Sequence, residues 1–192
     1  MRFPFLLAPI LIALAPLSIA ADKHEHHQHE HSLEAHVHGL ATLNIALEGQ
    51  HLELLLDSPA MNIVGFEYQP SSAADKKTVV DAERTLKNEQ GLFKLSQNAQ
   101  CSFSAVTIDN DLSEHADEHG HTTHGHDQDE HQHSNIQVSY QFNCAQPNKL
   151  TGIDLAGFFK AFPHTEKINV QLVTAETQQG AELSTSNTLL NW

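Results

Sequence analysis

The chain alternates from Val37 onward. Ala41, Leu43, Ile45 and Leu47 are apolar while Thr42 and Asn44 are polar, the period of a half-buried strand over His36–Leu47. Past Gly49 the alternation resumes, with Leu52, Leu54 and Leu56 set against His51, Glu53 and Asp57. A two-residue turn at Gly49-Gln50 would pair Leu47 with Leu52, Ile45 with Leu54 and Leu43 with Leu56. The apolar faces then coincide, and a one-residue slip would separate them. This predicts a β-hairpin.

The period then changes. Ser72-Ala-Ala-Asp75 reads as a capping box with Asp in place of Glu. Val79, Ala82 and Leu86 follow at helical spacing and Gly91 offers a stop, so the pattern predicts an amphipathic helix over 73–90. Cys101–Ile108 and Ile136–Cys144 read as strands, the second with Ile136, Val138, Tyr140, Phe142 and Cys144 on one face. Leu155, Phe158, Phe159 and Phe162 form one short helical stripe ending at Pro163. Ile168, Val170 and Leu172 alternate as a strong strand, and Ala181–Ser184 adds another. These elements predict a mainly β, antiparallel β-sandwich-like (α+β) domain with one longer and one short helix.

Three stretches fall outside that pattern. Met1–Ala20 has a basic start at Arg2, an apolar run from Phe3 to Ile19 and small residues at Ser18-Ile19-Ala20. That order predicts a signal peptide over 1–20, and Pro4, Pro9 and Pro16 argue against a membrane-spanning helix. Residues 21–33 carry no apolar period and predict a disordered tail. The insert 109–135 holds seven histidines and eight carboxylates, with no Lys or Arg and no large apolar side chain after Leu112. It cannot add to a core. The expected organisation is a leader, a tail and a single domain over 34–192 interrupted by that disordered histidine-rich loop.

Composition sharpens this reading. Of 192 residues, 24 are acidic and 10 basic, giving a net charge of -14 with histidine neutral, so nucleic acid and anionic membrane surfaces are poor partners. Histidine is the unusual residue: there are 16, and only His51 and His164 lie outside 22–38 and 115–133. An exported chain folds in an oxidising compartment, which favours a Cys101–Cys144 disulfide over two free thiols. It would clamp the hairpin that carries the insert at its base.

Neutral imidazole binds zinc and suits nickel and copper as well. In the insert, His115, His119, His121, His124, His126, His131 and His133 stand at HxH and HxxH spacings, with Gly120 and Gly125 leaving the backbone free to wrap an ion. The neighbouring carboxylates would concentrate cations. The tail adds His24, His26, His27, His29 and His31 as weaker ligands. Glu34, His36 and His38 differ from both groups because they abut a strand. Side chains two apart share a face, so two imidazoles and a carboxylate would project together and form most of a tetrahedral zinc site. His51 lies a strand length from His38, roughly 40 Å at strand rise, and reads as a surface residue. His164 reads as a loop residue. No GxSxG, phosphate-cradling glycine loop or HExxH motif is present, and Ala116 stands where HExxH needs its glutamate between His115 and His119. The expectation is a binding protein and not an enzyme.

Ala35-His-Val-His-Gly39, Asp57-Ser-Pro-Ala-Met-Asn-Ile-Val-Gly-Phe-Glu67, the two spaced cysteines and Phe158-Phe-Lys-Ala-Phe-Pro163 together resemble the ZrgA-like family of zinc-regulated periplasmic proteins. The resemblance covers most of 34–190. It implies a β-sandwich-like periplasmic protein with a histidine-rich loop, binding Zn(II) as several ions and acting in zinc acquisition beside an ABC-type importer. It carries metal-binding roles onto His36, His38 and Glu67. Family members often have a histidine after that glutamate, where this chain has Tyr68. A nickel or copper buffer or storage protein is the alternative reading, since imidazole does not choose among these ions.

Overall fold

A computed structural model describes residues 37–113 and 134–192. In chain order the elements are β1 (Leu40–Glu48), β2 (His51–Pro59), α1 (Ala60–Val64), α2 (Ala73–Leu86), α3 (Glu89–Leu92), β3 (Lys94–Leu95), β4 (Cys101–Asn110) and β5 (Asn135–Cys144), followed by β6 (Gly152–Asp154), α4 (Ala156–Ala161), β7 (Lys167–Thr174), β8 (Gln178–Ser184) and β9 (Leu189–Asn191). Six strands form one sheet in the order β4-β5-β2-β1-β7-β8, and β3, β6 and β9 form a small second sheet. The protein is mainly β, with a sandwich-like α+β arrangement.

The predicted hairpin is present in the predicted register: Leu43 faces Leu56, Ile45 faces Leu54 and Leu47 faces Leu52 across Gly49-Gln50. The register continues through the sheet. Leu54 pairs with Tyr140, Leu56 with Val138, and Leu43 with Val170. One face therefore gathers Leu43, Ile45, Leu52, Leu54, Leu56, Val138, Tyr140, Val170 and Leu172, each at most 2% exposed. The other face carries the polar alternates. Fully burying each such side chain contributes roughly 1.5–3 kcal/mol relative to leaving it exposed.

The helices and the small sheet supply the second layer of the core. In α2 the predicted stripe of Val79, Ala82 and Leu86 is buried. Ser72 caps it, its hydroxyl accepting from the Asp75 backbone N–H at 3.0 Å and donating to the Asp75 carboxylate at 2.7 Å. The helix is shorter than its pattern suggested: it ends at Leu86, the last residue of the buried stripe, and a separate turn, α3, follows. Gly91 does not stop the first helix. It lies in α3 where α4 crosses, and a Cβ built on Gly157 would stand 2.0 Å from the Gly91 carbonyl oxygen. Two glycines there allow backbone-to-backbone contact. Phe93, Tyr140 and Phe158 meet at this crossing, with ring centroids 4.9 and 6.2 Å apart, and the Tyr140 hydroxyl donates to the Leu86 carbonyl at 2.9 Å.

The small second sheet of β3, β6 and β9 and the turn α3 were not predicted, nor were two further features. The strands β1 and β7 pair in parallel, the exception among otherwise antiparallel neighbours. The segment after β2 folds into α1 instead of leading straight to α2. The expected disulfide joins Cys101 to Cys144, directly opposite one another on β4 and β5.

Candidate metal centre

The register sorts the molecule into two ends. At one end Cys101 faces Cys144, beside the turn linking β1 to β2. At the other, Leu40 faces Lys167, Pro59 faces Asn135 and Asn110 faces Ile136. His38, Glu67, His164 and both flanks of the insert belong to that second end.

His38 enters it through a tight turn. Gly39 has φ +85°, in the left-handed region that favours glycine, and the Leu40 N–H donates to the Val37 carbonyl at 3.0 Å. The Gly39 peptide is then held from two sides. Its N–H donates to Asn62 Oδ1 at 2.7 Å, and its carbonyl accepts from the N–H groups of Glu166 and Lys167 at 2.7 and 2.9 Å. Asn62, fully buried in α1, also donates to the Leu40 carbonyl and to the Ser58 hydroxyl. The backbone bearing His38 is thus fixed although its imidazole is half-exposed.

Glu67 arrives from the other side. Gly65 ends α1 with φ +86°, its N–H donating to the Met61 carbonyl at 3.0 Å, and the chain reverses into Phe66 and Glu67. The buried Phe66 ring anchors the segment, with Tyr68 stacked on it at 4.8 Å. His38 Nε2 lies 3.1 Å from Glu67 Oε1, the imidazole 51% and the carboxylate 12% exposed. Two ligand atoms on a tetrahedral zinc stand about 3.3 Å apart, given bonds of about 2.0–2.2 Å. The pair is therefore spaced like one edge of a zinc tetrahedron, with the imidazole open to solvent.

The flanks of the insert hold the same segment. The Ser134 hydroxyl donates to the Glu67 carbonyl at 2.8 Å, and Gln69 Nε2 donates to the Asp111 carbonyl at 2.8 Å. Asp111 in turn accepts the Asn135 N–H at 2.8 Å. Glu83 of α2 takes hydrogen bonds from Asn110 and Ser113. The described residues on either side of the insert, Ser113 and Ser134, thus lie at the same end of the sheet as the His38–Glu67 pair.

Of the predicted ligands, the structure brings His38 and Glu67 together. Glu34 and His36, the insert histidines His115, His119, His121, His124, His126, His131 and His133, and the tail histidines His24, His26, His27, His29 and His31 lie outside the described residues. Among the described residues no group of three His, Cys, Asp or Glu side chains is arranged to hold a metal. His51 faces Glu48 at the disulfide end, as its distance along the hairpin implied. Tyr68, in the position after Glu67, is exposed and packs on Phe66.

Sequence reasoning missed the placement of His164. Its ring lies against Gly65, where a Cβ would stand 3.7 Å from Nε2. Two residues on, the Glu166 carboxyl lies over Gly39, 3.2 Å from a Cβ built there. No local pattern signals this, because it follows from the parallel pairing of β7 with β1.

Residues 35–192 match the family model described as ZrgA family zinc uptake protein. No curated protein matches the chain. No helix among the described residues is long and apolar enough to cross a membrane. The chain belongs to the ZrgA family of zinc uptake proteins.

Proposed function

We propose that this ZrgA-family chain works in the periplasm as a zinc-capturing protein. It is exported by a cleaved leader over 1–20 and folds as one domain over 34–192 behind a histidine-rich tail. The insert and tail gather Zn(II) with many weak imidazole and carboxylate ligands. His36, His38, Glu34 and Glu67 form a tighter, ordered site, and the zinc serves acquisition beside an ABC-type importer. The observation carrying this reading is the His38–Glu67 pair at 3.1 Å beside both flanks of the insert. Ions held by the loop are thereby released next to a better-defined acceptor. A ligand-rich segment raises the local zinc concentration at a site near its own anchorage, as any tethered binding element does.

The test is zinc titration of the mature chain and of a variant lacking 114–133. Deletion is expected to remove most of the weak stoichiometry and to leave one tighter site. Unchanged stoichiometry and affinity would refute the capture role. Loss of the remaining site in His36→Ala with His38→Ala is expected, and its survival would reject the ordered site. Occupancy should fall as pH drops through about 6.5, where free imidazole takes up a proton and loses its lone pair.

A further inference from the structure

We propose that His164 is a metal ligand in this protein, the arm of the site that swings in from the α4–β7 connection to join His38 and Glu67 on one zinc ion. The inference rests on the ordered-site reading above and adds a ligand to it.

Three chain segments carry it. The His38-Gly39 turn, the Gly65–Glu67 exit of α1 and the His164–Lys167 entry to β7 are tied together by backbone contacts. The Gly39 carbonyl accepts from Glu166 and Lys167, and the Gly39 N–H is held by Asn62 of α1. Each segment contributes a side chain with metal-binding chemistry. His38 and Glu67 already stand 3.1 Å apart. The His164 ring reaches across to Gly65, two residues before Glu67, with its Nε2 the atom closest to the space a Cβ would fill. Gly65 takes the φ of +86° that ends α1, and the imidazole lies within ordinary van der Waals reach of it.

The His164 ring packs on Gly65, and His38 Nε2 lies 3.1 Å from Glu67 Oε1. The His164 side chain is exposed, so its ring can rotate without leaving a packed core. On binding, the proton between His38 Nε2 and Glu67 would be released to solvent, and the His164 imidazole would supply a further donor to the ion. A third neutral or anionic donor brings the set to the His₂Glu composition of three-ligand zinc sites, leaving the fourth position for water or another donor. Glu166 is the competing candidate in the same loop, with its carboxyl over Gly39.

The experiment uses the full mature chain and Zn²⁺ in competition with a chromophoric chelator, so that the tightest site is read above the weak ones. Four single variants are compared: His38→Ala, Glu67→Gln, His164→Ala and Glu166→Gln. Metal-free thermal unfolding is followed beside each titration. His164→Ala is expected to weaken the tightest site at least tenfold while leaving metal-free unfolding unchanged, because the ring is exposed. The first equivalent of zinc should also displace the ring-nitrogen resonances that disappear from the spectrum of His164→Ala. If His38→Ala and Glu67→Gln weaken the site and His164→Ala does not, the His164 assignment is overturned while the pair stands. A loss in Glu166→Gln without one in His164→Ala overturns it in favour of the carboxylate. If His38→Ala and Glu67→Gln also leave the affinity unchanged, the ordered-site reading itself fails, and the assignment with it.

Discussion

The two ends of the six-stranded sheet are closed by different chemistry. At one end a covalent bond joins Cys101 to Cys144 where β4 meets β5. At the other, about 30 Å away along β5 at strand rise, the strand ends are held by polar contacts: Asn62 on Gly39, Leu40 and Ser58, Ser134 on Glu67, and Gln69 on Asp111. The insert leaves from the polar end, so the hairpin bearing it is clamped at the end farthest from it. A covalent clamp is indifferent to what the insert does, whereas a polar network can include the side chains proposed as ligands. On the proposed function, the covalent clamp serves stability at one end while the proposed metal ligands lie at the other.

Breaking the disulfide tests that division with the largest effect. Replacing Cys101 and Cys144 together by serine should lower unfolding free energy by about 4 kcal/mol on the chain-entropy model for a closed loop of this length. Denaturant unfolding would measure it, and zinc affinity of the folded variant should be unaltered. A weakened tight site would show that the two ends are coupled.

Asn62→Leu attacks the other end. The side chain is buried and of similar size, so the main change is lost hydrogen bonding to Gly39, Leu40 and Ser58. Leaving these groups unpartnered should cost about 3 kcal/mol. Unlike the cysteine variant, it should also weaken the tight zinc site, because Gly39 positions His38. Calorimetry and chelator competition on one preparation would separate the two effects.

Tyr140 lies mid-sheet and provides the smallest change. Removing its hydroxyl in Tyr140→Phe should cost about 1 kcal/mol through the bond to Leu86. Burial, with a smaller contribution from the Glu89 charge, raises its pKa above the ordinary 10.0. A group with a raised folded-state pKa contributes stability in full below its unfolded pKa and loses it as pH rises towards the folded value. Stability of the parent should therefore fall as pH climbs past 10. Tyr140→Phe should show less of that slope, with zinc binding at neutral pH unchanged.

Much of the fold was legible because alternation reports burial directly. The register of β1 against β2, the buried stripe of α2 and the aromatic face of α4 each follow from spacing alone. Local patterns overreached at Gly91, which resembles a helix stop but serves a close crossing of α3 and α4. They were silent on α1, whose five residues are too few to show a period. The candidate site was legible in its residue types. Histidine and carboxylate content pointed to metal, and the motif resemblance singled out Glu67, which spacing could not.

The sequence by itself determined that a half-buried sheet would form and that two cysteines would be available to clamp it, but it did not show that Leu112, inside the expected insert 109–135, would be buried in the core. The first two properties depend on near neighbours in the chain. Only the tertiary structure decided that Glu67 would meet His38 across 29 residues and that both flanks of the insert would reach the same place. It also brought His164 alongside. Those meetings depend on β7 pairing in parallel with β1 and on the reversal at Gly65, both set by packing between distant segments.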